Sequence, residues 1–309
     1  MQISDLLNRY RRFLKRRNSS ILTVKNYMSV LKLFFSWNTA PLTSITHIEI
    51  GLYVEHLLKT KKPKTINCHL GVLLGLFDYL IDEEGLILIN PVRRSHRLRL
   101  PRPLPKHLQD DQIRDLFNKI TDERDRAMFM LMLRCGLRVE EVANLTLDRI
   151  DFSHRQIFVS YGKGSKDRMV YISQDAQSVL KQYLNKRPLS EEKKVFLVQK
   201  GPLTGTPISI RGIQKRIEYY SAKTTIPVSC HQLRHTMATQ LLNADADIVT
   251  IQDLLGHSRV TTTQRYCRVS NLKVQRDYFK AIEIILQRSQ QAAEDGLGIN
   301  NFIPVGIGN

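Results

Sequence analysis

The sequence predicts two domains: an N-terminal bundle of four α-helices, and a larger mixed α/β domain, mainly helical, that carries one small antiparallel sheet. Three observations predict this. The chain has 309 residues, enough for two hydrophobic cores of ordinary size. Residues 1–92 follow a helical period throughout. Residues 156–172 instead alternate β-branched and aromatic positions, IFVSY and then RMVYI, around the glycine-containing tip GKGSKD, which is a hairpin pattern.

In the first domain, Ile3, Leu6, Leu7, Tyr10, Phe13 and Leu14 make one apolar stripe, and Arg11, Arg12, Lys15, Arg16 and Arg17 fill much of the remaining circumference. A second helix is expected over residues 20–37, with Val24, Tyr27, Leu31, Phe34 and Phe35 turned inward. Residues 48–58 and 64–81 supply the third and fourth, the last closed by Gly85 and then Asn90-Pro91. Residues 93–107 hold six Lys or Arg and three Pro with no acidic residue. Proline stiffens this stretch and forbids a continuous helix, so it reads as a basic linker suited to lie along a phosphate strand.

The second domain is expected from about residue 108, with helices over residues 110–120 and 124–134 broken by Gly136. Arg138 opens a short helix, and Glu141 three residues later is placed to brace its guanidinium, although in isolation such a pair is more often an ordinary ion pair. After the hairpin, a helix begins at Ser229 or Gln232 and sets His231 and Arg234 on one face. A further apolar face at Ile248, Ile251, Leu254 and Leu255 should end at Gly256, which delivers His257 at a helix terminus. Thr261, Thr262 and Thr263 place Tyr266 near the start of another short helix, and residues 272–288 form an amphipathic one. The uncharged tail over residues 291–309 has no assignment.

Composition points to a polyanionic partner: 47 Lys plus Arg stand against 29 Asp plus Glu, giving a net charge of +18. Residues 1–107 carry 18 basic and 7 acidic residues, so this smaller N-terminal portion, linker included, holds +11 of that charge, as a segment that grips nucleic-acid backbone would. A membrane surface is the competing polyanion, but no apolar run approaches a spanning length and no secretory leader is evident. Cys68, Cys135, Cys230 and Cys267 are scattered without C-x-x-C spacing, which fits a reducing cytoplasm and neither a disulfide framework nor a zinc ribbon.

The span from His231 to Tyr266 concentrates His231, Arg234, His257 and Tyr266, which are cationic donors for a phosphate together with a hydroxyl able to attack it. Each has a simpler reading alone. A single histidine is more often packed or solvated, and a single tyrosine is more often a core or surface aromatic. His231 and His235 have the i, i+4 spacing of zinc ligands, but Gln232 stands where a metalloprotease needs its glutamate and no third ligand is evident. No metal or other cofactor is therefore expected, and the absence of G-x-x-x-x-G-K-[ST] gives no support to nucleotide hydrolysis.

Taken jointly, H-x-x-R at His231 to Arg234, L-L-G-H ending at His257 and a tyrosine nine residues later resemble the tyrosine recombinase (phage integrase) family, in particular its Xer-like members. The likeness continues upstream in CGLRVEEV around Arg138 and in GKGSKDR around Lys163, and in the N-terminal domain in Thr23 to Tyr27 and Asn90-Pro91-Val92. It implies a helical core-binding domain over residues 1–92, the linker over 93–107, a catalytic domain over 108–290 and the tail. It further implies a site-specific DNA recombinase, acting as a tetramer on two duplex DNA sites in the cytoplasm at the nucleoid.

The chemistry follows from charge. Without metal, a catalyst must offset the phosphodiester's negative charge with fixed donors. Arg138 and Arg234 are the natural guanidinium pair, His257 adds a hydrogen bond, and His231 assists proton movement at the nucleophile. Tyr266 would attack phosphorus and leave a 3′-phosphotyrosine. The resemblance gives Lys163 the task of protonating the departing 5′-oxygen, with Lys166 as rival. A type IB topoisomerase uses the same chemistry, and a non-cleaving DNA-binding regulator could keep the same fold.

Overall fold

The structure, a computed structural model, describes residues 2–101, 106–160 and 167–256. The readings made for Lys163, Lys166, His257, Tyr266, Cys267, residues 272–288 and the tail lie outside the described residues. Contacts divide the chain into two compact units, Met1–Pro103 and Leu104–Asn309.

The first unit contains α1 (Ile3–Arg16), α2 (Ile21–Trp37), α3 (His47–Leu58) and α4 (Pro63–Asp82). Local chemistry sets where these helices begin. The Ser20 hydroxyl accepts the Thr23 amide at the start of α2, the Glu49 carboxylate accepts the Thr46 amide at the start of α3, and Pro63 occupies the first turn of α4, where its missing amide costs nothing. Leu6, Tyr10 and Leu14 of α1 meet Val24, Leu31 and Phe34 of α2 in one core, with Tyr27 and Phe35 packed at its margin. Ile3, which the periodicity places in the stripe, is instead 41% exposed, because it sits at the first residue of α1, beyond the reach of the other helices.

Residues 94–96 form a single 3-10 turn, and the Asn67 side chain both donates to the Leu98 carbonyl and accepts the Leu98 amide. The front of the proline-containing stretch is thus held on the helical unit by one side-chain amide that pairs with its backbone.

The second unit is mixed. It contains α5 (Asp110–Lys119), α6 (Glu123–Arg134), α7 (Val139–Asn144), β1 (Ile150–Asp151), β2 (Gln156–Val159), β3 (Arg168–Tyr171), α8 (Gln174–Asn185), α9 (Ile210–Ser221), α10 (Cys230–Asn243) and α11 (Ile248–Leu255). The strands form an antiparallel sheet in the order β1-β2-β3, with Ile157 opposite Val170 and Val159 opposite Arg168. The expected hairpin is β2 and β3; the two-residue β1 is too short to leave a periodicity of its own. Ile157 and Val170 are fully buried, while Phe158 and Met169 face outward, as alternation on a half-covered sheet requires.

Helix α6 is the central element and packs against both α8 and α10. Its Met128, Leu131 and Met132 join Leu180 and Tyr183 of α8 and Leu233 of α10 in the main core. A completely buried carboxylate, Asp125, is satisfied there by Arg124, by Arg216 of α9 and by the Tyr220 hydroxyl. Between α10 and α11 lies a separate small core of Met237, Ala238, Leu242, Ile251 and Leu255. Among the described residues no helix is long and apolar enough to cross a membrane.

Candidate active site

Gly136 sets the site's geometry. It has φ of +66°, and a Cβ there would stand 3.1 Å from both Leu255 Cδ2 and Met237 Sδ. A side chain would be strained by the backbone and crowded by the small core, so the loop after α6 can lie against α10 and α11 only with glycine. That close approach brings Arg138, two residues further on, to the end of α11.

Arg138 is the N-cap of α7. Its backbone amide donates to Glu141 Oε2 at 2.7 Å and its Nη1 to Glu141 Oε1 at 2.8 Å, while its Nη2 reaches the Gly256 carbonyl at 3.3 Å. Arg234, in the second turn of α10, is 98% buried and donates to the carbonyls of Gly136 and Leu255, with its Nη1 4.0 Å from Glu141 Oε2. Two guanidiniums from segments 96 residues apart therefore flank one carboxylate.

A third guanidinium completes the group. Arg168 of β3 donates from Nη1 to Glu141 Oε1 at 2.9 Å, from Nη2 to Oε2 at 2.8 Å, and from Nε to the Leu254 carbonyl at 2.8 Å. The last carbonyls of α11 thus receive three arginines in succession: Leu254 from Arg168, Leu255 from Arg234 and Gly256 from Arg138. A helix C-terminus leaves carbonyls without intrahelical partners and carries the negative end of the dipole, so three cations belong there. Gly256 closes the helix in the left-handed conformation at φ of 58°.

Sequence reasoning quoted Arg168 as the end of the hairpin motif and gave it no role. A signal existed. Arg168 is in phase with Val170 on the inward face of β3 and with Ile172 just beyond it, and a charge at an inward strand position calls for a buried partner.

The electrostatics follow from these contacts. Burial pushes the Glu141 carboxyl up, but the adjacent Arg168, the Arg138 amide and the Arg138 charge outweigh it and hold the group below its ordinary range. Burial draws Arg168 down while Glu141 pushes it up; a guanidinium's intrinsic basicity keeps it charged through this contest. His231 is exposed on α10, yet its surroundings lower it from 6.5, through partial loss of water first and then through Arg234 and Arg138, which favours the neutral ring. Its ring packs edge-on against His235 with centroids 4.1 Å apart. Among the described residues no group of three His, Cys, Asp or Glu stands where it could hold a metal ion.

Beside this cluster opens a cleft of about 820 Å³, whose wall includes Arg138, Arg149, Phe158, Ser160 and Lys193. The described part of the site is therefore Arg138, Glu141, Arg168, His231 and Arg234. Its guanidiniums suit a phosphate, and neutral His231 suits a proton acceptor.

The phage integrase family model matches residues 106–273, and the N-terminal SAM-like domain of phage integrases matches residues 6–85. The chain is 35% identical over 265 residues to the tyrosine recombinase XerC of Thermodesulfovibrio yellowstonii, covering 82% of this chain and 87% of that relative. It is 29% identical over 290 residues to the tyrosine recombinase XerA of Pyrococcus horikoshii, covering 92% and 96%. Among solved structures, the crystal structure of XerA recombinase matches with a TM-score of 0.53 at 26% identity, over 90% of this chain and 98% of that one. A lambda integrase dimer bound to a COC' core site shares the fold with a TM-score of 0.71 at 20% identity, over 86% and 95%. A helical N-terminal domain followed by a mixed α/β catalytic domain with a small antiparallel sheet is the architecture of these proteins, and the chain belongs to the phage integrase family of tyrosine recombinases.

Proposed function

We propose that the protein is a site-specific DNA recombinase that cuts and rejoins DNA strands through a 3′-phosphotyrosine, for the integration, excision or resolution of a DNA element. Its reaction class is that of its family, cleavage and rejoining of DNA at a specific site. The observation that carries the reading is the convergence of Arg138 and Arg234 on Glu141 and the end of α11, a cationic corner from which His257 follows directly in sequence.

Arg138 and Arg234 bind the non-bridging oxygens of the scissile phosphate and offset the charge that grows on them as the fifth bond forms. His257 donates a further hydrogen bond. Neutral His231 takes the phenolic proton of Tyr266, whose oxygen attacks phosphorus, and Lys163 gives a proton to the departing 5′-oxygen. The phosphotyrosine keeps the ester's bond energy. Rejoining to another strand then needs neither nucleotide nor metal, and four protomers on two duplex sites complete an exchange in the cytoplasm, at the nucleoid.

Duplex DNA as partner is supported by charge as well as by family. In the first unit a groove of about 790 Å³ is lined by Arg11, Lys15, Lys25 and Lys32, with no carboxylate among its described lining residues. Such a surface follows a phosphate backbone whatever its sequence.

The test is covalent capture. Incubated with a duplex nicked beside the scissile phosphate, the protein is expected to form an adduct stable to SDS, and Tyr266→Phe to form none while shifting the duplex normally on a gel. Binding without any adduct would leave a DNA-binding regulator and sink the recombinase reading. A two-site plasmid then separates recombination from relaxation.

The pH dependence is fixed by His231. Because its folded pKa lies below 6.5, the neutral acceptor persists as pH falls through 6.5 and is lost only further down. Adduct formation measured against pH should therefore keep more than half of its rate at 6.5. A profile already halved there would contradict the role given to His231.

A further inference from the structure

We infer that Arg168 is a positioning residue for strand cleavage: it fills the acceptor positions that Arg138 leaves on Glu141, so that the carboxylate does not draw Arg234 away from the scissile phosphate. The inference rests on the recombinase reading and extends it to a residue for which neither the fold nor the chemistry above requires a task.

A carboxylate offers about four lone-pair positions. In Glu141 four donors take them, two from Arg138 and two from Arg168: Oε1 accepts from both Nη1 atoms, and Oε2 from the Arg138 amide and Arg168 Nη2. Arg234 Nη1 is left at 4.0 Å, in electrostatic range but outside hydrogen-bond distance. Carboxylate and phosphate compete for the same bidentate guanidinium geometry. With Arg168 absent, two positions on Glu141 reopen beside two cations, and closing the 4.0 Å gap would turn Arg234 from the phosphate toward the carboxylate.

The same side chain ties two other parts of the site together. Its Nε holds the Leu254 carbonyl, three residues before His257, and the residue itself lies on β3, five residues after Lys163 in sequence. A buried arginine on a strand edge therefore links the hairpin, the bracing carboxylate and the end of α11. Its side chain is 6% exposed, so it acts on DNA through these groups and not as a contact of its own.

Arg168→Lys separates positioning from charge. Lysine keeps the positive charge and can reach one carboxylate oxygen, but it cannot span both oxygens and the Leu254 carbonyl. The measurement is the single-turnover rate of adduct formation on the nicked duplex at saturating protein, with duplex affinity measured in parallel and wild-type protein as reference. The expected result is a loss of about 100-fold in rate, the cost of misplacing reacting groups by about 1 Å, with affinity within about threefold of wild type. Arg168→Met should lose at least as much, and adding Glu141→Gln to it should cost little more or recover part of the rate, because the competing anion is gone. Wild-type rate in Arg168→Lys overturns the inference. So does loss of affinity in step with loss of rate in both variants, which would make Arg168 part of the scaffold only. A wild-type protein that binds the duplex and forms no adduct overturns the recombinase reading and this role with it, whereas an active wild type with an unaffected Arg168→Lys overturns this role alone.

Discussion

Glu141→Ala is expected to lower the stability of the second unit by about 3–5 kcal/mol, the usual cost of deleting one partner from a buried ion pair. The carboxylate is 9% exposed and lies among Arg138, Arg168 at 6% exposure and Arg234 at 2%. Alanine would leave three guanidiniums gathered without a counter-charge and two of them out of water's reach. The sign with pH is fixed by the direction of the shift. Glu141 titrates below 4.5 in the folded protein, so its contribution is fully present above that value and is lost as pH falls through the lower, folded pKa. Urea unfolding at neutral pH should therefore show the full difference between wild type and variant, and the gap should narrow under strong acid. Equal midpoints at neutral pH would mean that Glu141 does not hold the cluster together.

Arg138→Ala and Arg234→Ala should each slow adduct formation by roughly 10²–10³-fold, the range seen when one fixed donor to a developing oxyanion is removed. They should differ in stability. Arg138 is 35% exposed and its backbone amide keeps the bond to Glu141, so its alanine variant is expected to fold with near-wild-type stability. Arg234 is buried and satisfies the carbonyls of Gly136 and Leu255, so its removal strands two acceptors and destabilises by about 1–3 kcal/mol for each group left without a partner. Thermal melts alongside adduct assays would separate the two. Equal melting temperatures for the pair would contradict the division of labour described for them.

Much of the site was legible because its determinants are local. Arg138 at the start of a short helix and Glu141 three residues on are a capping relation, written within one turn. Gly256 as the stop for α11, and His231 and Arg234 on one helix, rest on similarly short spacings. The hairpin could be read from alternation, and the four-helix unit from its apolar stripes. What escaped is non-local or irregular. Arg168 meets Glu141 across 27 residues, and Asp125 meets Arg216 across 91, so no window of periodicity contains either pair. Helices α8 and α9 escaped too, although Ser173 and Ser209 stand at their N-caps, and β1 has only two residues. The exposed Ile3 shows the converse limit, since a stripe read from sequence does not say where its neighbours end.

The distance along the chain between Gly136 and Leu255, which the Arg234 guanidinium joins, has a bearing on biosynthesis. A ribosome-bound chain that has emerged only through β3 possesses Arg138, Glu141 and Arg168 but lacks Arg234 and the carbonyls at the end of α11. Its group of guanidiniums is incomplete. Since domains fold as units once their whole sequence is available, a translation product that stops before α11 cannot assemble this corner of three guanidiniums.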